Sequence, residues 1–143
     1  VAWSNSKIFM AAIEDMFENT TAMDLNSDTF KAALFNDTIT PSQTVSSANS
    51  AYGAGVWASG GVLDASGWPA VGRDLVPTSI VSSNVYTFDS SDTSSANSST
   101  TLTNAYGCLI YDDTLTTPVA DQGLCYNYFG GANSVTSGTF TIN

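Results

Sequence analysis

The chain has no histidine, and among its 143 residues only Lys7, Lys31 and Arg73 carry a positive charge. The first absence removes the commonest general base, so Ser-His and Cys-His nucleophile pairs are excluded. It also leaves Cys108 and Cys125 without an imidazole to complete a zinc site, which two thiolates alone do not make. Three cations cannot neutralise a run of phosphates, which argues against nucleic-acid binding and against an anionic membrane surface. No stretch approaches the roughly 18 apolar residues of a membrane-spanning helix. The opening "VAWSNSKIFM" has neither the basic start nor the apolar run of a secretory leader. A phosphate-cradling loop is missing too, because "GAGVWASGG" has no lysine and no helix after it.

Charge is scarce altogether. Charged residues make up 11% of the chain, while hydrophobic ones reach 43%. Serine and threonine fill the gap at roughly a quarter of all positions, well above ordinary usage. Thirteen acids against three bases give a net charge of −10. The acids are scattered rather than run together, which predicts a soluble, self-repelling surface. Carboxylate-pair glycoside chemistry needs two acids marked out from the rest, and nothing marks such a pair. The expectation is a protein that is not an enzyme and needs no cofactor.

The length predicts one domain over residues 1–143, with a real core. Ile8, Phe9, Ala12, Ile13, Met16 and Phe17 fall on one helical face, predicting an amphipathic helix over 6–19 that covers a sheet or docks on a partner. Ser4 or Ser6 would cap it, "ENTT" would end it, and residues 1–5 would form an N-terminal arm. From 29 to 143 the pattern is that of many short strands, which predicts a mainly β domain, a β-sandwich or barrel-like fold. "TFKAALFN" (29–36) is the first strand, and residues 75–90 read as two strands around a turn near Ser82 to Asn84. "SSDTSSANSST" (90–100) has almost no apolar side chains and is expected to be an exposed, mobile loop. "LTNAYGCLIYDD" and "GLCYNYFGG" are the strongest strands, and "GTFTIN" alternates Thr139 and Thr141 against Phe140 and Ile142.

Between the two strong strands lies "YDDTLTTPVADQG", with Asp112, Asp113 and Asp121. Those carboxylates lack the alternating spacing of a calcium loop, so no metal site is expected. If Tyr111 faces Gln122, the hairpin places Cys108 opposite Cys125, with the three aspartates solvated at the loop mouth. Such a cysteine pair would be either buried thiols or a cross-strand disulfide worth about 3 kcal/mol. The tryptophans Trp3, Trp57 and Trp68 are candidate partner contacts, since interface anchors favour Trp, or they fill the domain's own core.

Several stretches carry a resemblance: "AWSNSKIF", "NTTAMDLNSDTFKAALFNDTITP", "WPAVGRDL", "TFDSSDT" and "NAYGCLIYDDTLTTPVADQGLCYNYFGGANSVTSGTFTI". Over most of its length the chain resembles small tailed-bacteriophage virion structural proteins, described as minor capsid, capsid decoration or minor tail proteins. The resemblance implies a non-enzymatic capsid decoration protein bound to the major capsid protein on the head surface. It further implies self-association as a trimer on the particle, and synthesis in the host cytoplasm. A tail-associated protein is the alternative, and the Tyr-rich run from Tyr126 to Phe129 suggests a glycan-binding module as a third.

Overall fold

The computed structural model describes residues 3–143. It is mainly β, with antiparallel sheets and one short N-terminal helix. A central sheet runs in the order β1 (Lys7–Ile8), β9 (Gly123–Gly138), β8 (Thr100–Asp112), β2 (Phe30–Phe35) and β3 (Gly61–Val62). β4 (Arg73–Asp74) also pairs with β2, beside β3. Two small sheets flank it: β5 (Pro77–Ser82) with β6 (Val85–Ser90), and β7 (Thr93–Ser94) with β10 (Thr141–Ile142). The central sheet has two open ends among the described residues, so the barrel-like alternative does not hold.

The sheet is built on strands that alternation had marked. β2 is buried at five of its six positions, which suits a central strand packed on both faces. β5 and β6 turn through Ser83 and Asn84, both at positive φ (51° and 64°), the geometry a tight two-residue hairpin needs. In β10, Phe140's neighbour Ile142 packs toward the core while Thr141 faces outward, and the strand pairs with β7 rather than leaving a bare edge.

Two expectations are corrected. The helix α1 covers only Met10–Phe17, not 6–19. Lys7 and Ile8 instead pair with Tyr126 and Cys125, and the Phe9 N–H donates to the Leu124 carbonyl at 3.0 Å. The open edge of β9 claims these residues, because a ladder satisfies backbone groups that a marginal first helical turn leaves free. Ser4 and Ser6 therefore cap nothing; Phe9, extended at φ −67° and ψ 130°, precedes the helix. Of the expected apolar face, only Ala12 is buried within α1, and Phe17 is 88% exposed.

The polar segment 90–100 is not a free loop. Thr93, Ser95 and Thr100 are buried, and β7 holds the segment against β10. Asn97 organises the rest: its Oδ1 accepts from the Ser99 N–H and Thr100 hydroxyl, and its Nδ2 donates to the Ser66 carbonyl. Hydroxyls and one amide here do the fixing that apolar contacts do elsewhere. A second brace sits nearby. The Asp64 carboxylate accepts from the backbone N–H groups of Ser66, Gly67 and Thr101, with Thr101 at 2.8 Å, and these bonds hold its pKa down to about 2. Gly67 lies so close to β8 that a Cβ there would stand 1.9 Å from the Thr100 hydroxyl oxygen.

Candidate functional site

The three tryptophans are core, not surface. Trp3, Trp57 and Trp68 are 1%, 2% and 0% exposed. Trp3 sits edge-on to Trp57 and Tyr126, with ring centres 5.9 and 6.0 Å away, and its indole N–H donates to the Asn36 carbonyl at 2.8 Å. Trp68 donates to the Ala32 carbonyl at 3.0 Å and meets Phe140 edge-on. Large amphipathic rings stabilise an interior as well as an interface, and here the interior takes all three, with the Trp57 indole N–H meeting no acceptor. The expected arm is corrected with them: residue 3 is locked into the domain's own aromatic cluster.

The acidic hairpin tip divides into unlike parts. Asp113 pairs with Lys31 at 2.9 Å, and Asp74 approaches the same ammonium at 3.9 Å. Asp121, at φ 54°, has its carboxyl raised by burial and by the Asp113 charge. Asp112 is not solvated at all: it is fully buried at the end of β8. Its Oδ1 accepts the Thr114 and Leu115 N–H groups, while Oδ2 meets no donor from an ionised neighbourhood. Burial, and then the Asp28 carboxyl beside it, push Asp112 up to about 7, so that a proton held between the two acids supplies the missing donor. Among the described residues, no group of three or more His, Cys, Asp or Glu side chains is arranged to hold a metal ion.

The Asp15 carboxylate of α1 ties three segments together, accepting from Ser47, Gln122 and Thr20. Those bonds, Ser47's first, lower its pKa.

The cysteines are free thiols. Their expected register is corrected in two steps: Tyr111 faces Gly123 rather than Gln122, and a bulge then adds one more, so that Ile110 faces Cys125 and Cys108 faces Asn127. An unpaired Leu124 shifts everything beyond it. The thiols thus share a sheet face on adjacent pairs without standing opposite each other. Burial raises both, Cys125 to about 12.

The surface feature that the sequence pattern did not mark is a groove of about 560 Å³. Ile13 and Met16 of α1 form one wall, and Ile110, Leu124 and Cys125 of the central sheet are on its floor. The opposite wall is β6 with Ser91 after it, lining the groove without interruption from Tyr86 to Ser91, whereas no residue of β5 touches it. Asp89 is the one charged side chain among the lining residues. The β5–β6 hairpin exposes Ile80, Val81, Val85 and Tyr86, from 52% to 76%. A second hollow, about 390 Å³, has Tyr128, Phe129, Asn127 and Asn133 around it. Tyr126 itself is buried, so the aromatic run presents two rings there, not three. No helix among the described residues is long and apolar enough to cross a membrane. No family model, no curated protein and no solved structure matches the chain.

Proposed function

We propose that the chain is a non-enzymatic virion structural protein of a tailed bacteriophage, a capsid decoration protein that binds the outside of the head lattice and stabilises it. The observation that carries this reading is the pairing of an acidic, hydroxyl-rich surface with one apolar, nearly uncharged docking region, the β5–β6 hairpin and the groove beside it. Exposed apolar patches of that kind mark interaction sites. The resemblance over 104–142 supports the particle as the place where the patch is used. The partners would be the major capsid protein and further copies of this chain, as a trimer on the particle. Contact would run through the hairpin rather than through Trp3, Trp57 or Trp68, which have no surface to offer.

A tail-associated role is the alternative, and fractionation separates the two. Purified particles would be split into heads and tails and each fraction quantified by mass spectrometry. A decoration protein stays with intact heads in a fixed ratio to the major capsid protein; recovery only with tails defeats the reading. The glycan-binding alternative draws on the second hollow, where two aromatic rings lie beside amide side chains. Calorimetric titration with host cell-wall polysaccharide tests it, and absence of heat at millimolar sugar removes it.

A further inference from the structure

We infer that the groove is filled by strand β5 of a second copy of this chain, laid along the free edge of β6, so that copies join head to tail. Among the described residues β6 pairs with β5 alone, and its other edge borders the groove, which residues 86–90 of the strand line. Unpaired strand edges beside an apolar floor are templates for an added strand. β5 is a suitable addition. Five of its six residues are exposed, including Ile80 at 60% and Val81 at 76%, and its outer edge is unpaired as well. A two-stranded ribbon is marginal alone in water, and joining ribbons edge to edge removes that weakness.

Charge selects a second copy as the occupant. With −10 per chain, most contacts between copies bring carboxylates together. Residues 75–88 carry no charged side chain, and the groove contributes only Asp89. Hairpin against groove is therefore a contact in which the two chains meet with little direct repulsion. Because the hairpin's β5 edge meets a different surface, the groove and β6 edge, the contact is heterologous, and the rotation between copies decides whether it builds a ring or an open chain.

The proposal does not depend on the virion reading, since the contact forms in the isolated protein. Sedimentation velocity from low to high salt and from micromolar to several hundred micromolar protein tests it. Association rising with salt is expected, because screening relieves the long-range repulsion. Val81→Lys spoils the strand that docks; Ile8→Lys, at a half-exposed groove position, spoils the receiving side. Each variant alone should be monomeric, although each loses one unit of net negative charge. Mixed in equal amounts they should form a dimer and nothing larger, since one sound hairpin and one sound groove remain. Thr116→Lys, on the distant exposed loop, should associate as the parent does. The proposal is overturned by a parent that stays monomeric throughout, by variants that associate like the parent, or by a mixture that stays monomeric. A hairpin that becomes protected only on phage heads would assign the groove to another chain and overturn it equally.

Discussion

The indole N–H of Trp3 donates to the backbone carbonyl of Asn36 at 2.8 Å, binding residue 3 to the end of the first central strand. The ring also fills the space over Gly107, where a Cβ would lie 2.5 Å from it. Trp3→Ala would leave a cavity among Trp57, Tyr126 and Tyr128 and is expected to cost about 3 kcal/mol or more. Thermal unfolding of the isolated protein checks this. A melting temperature within a degree of the parent's would show that Trp3 contributes nothing to the core.

Gly107→Ala should damage the same cluster from the other side. Its new methyl would meet both the Trp3 ring and, at 2.4 Å, the Asn127 carbonyl oxygen across the ladder. Backbone cannot yield as a side-chain tip can, so a loss of about 1–3 kcal/mol is expected. In a denaturant titration the midpoint should fall, and combining the change with Trp3→Ala should cost less than the sum of the two. Strict additivity would refute their coupling.

The pH dependence of stability has a distinctive contribution from Asp112. Its folded pKa is raised from 3.8 to about 7, so between those values the folded state holds a proton that the unfolded chain releases. Its contribution is therefore full below about pH 4 and is lost as pH rises toward 7. The lowered carboxyls of Asp15 and Asp64 act oppositely, losing their contribution as pH falls through the acid range. Asp112→Asn supplies a permanent donor toward Asp28 and keeps an acceptor for Thr114 and Leu115. It should stabilise the protein at pH 8 by about 1–2 kcal/mol and flatten the decline between pH 4 and 7. Destabilisation at pH 8 would show that the pair does not share a proton.

Thiol chemistry offers a fourth test. Both cysteines are raised by burial, and Cys108 is the more deeply enclosed. Native protein at pH 8 should react with iodoacetamide far more slowly than unfolded protein, with Cys125 modified before Cys108. Peptide mapping reads the order, and faster modification of Cys108 would contradict the packing.

Much of this architecture was legible in the alternation of side chains. β2, β8, β9 and the hairpin of β5 and β6 lie where branched and aromatic residues alternate or cluster. The register of the long hairpin was not legible, because alternation fixes which face a residue takes but not a bulge such as that at Leu124. Ile8 and Phe9 fit a helical period and a strand equally well, and only the open edge of a strand over a hundred positions away decides between them. Asp112 shows a different failure. Its parity with Cys108 and Ile110 already placed it on a buried face, yet the preference of Asp for turns outweighed that sign. The groove escaped notice because its lining comes from several widely separated parts of the chain.

The seam between β1 and β9 also governs when the sheet can form. Ser6 and Tyr128, joined by a hydrogen bond, stand 122 positions apart, and Gln122 reaches Asp15 across 107. A chain leaving the ribosome therefore holds its Trp3 and Phe9 rings only partly covered until β9 has been synthesised. Trp57 can meet both rings earlier, but Tyr126 and Tyr128 belong to that late strand. Assembly of the sheet is slow for the chain's size, because distant loop closure must precede the contacts that reward it. During that interval the nascent protein depends on its surplus of carboxylates to stay apart from its neighbours.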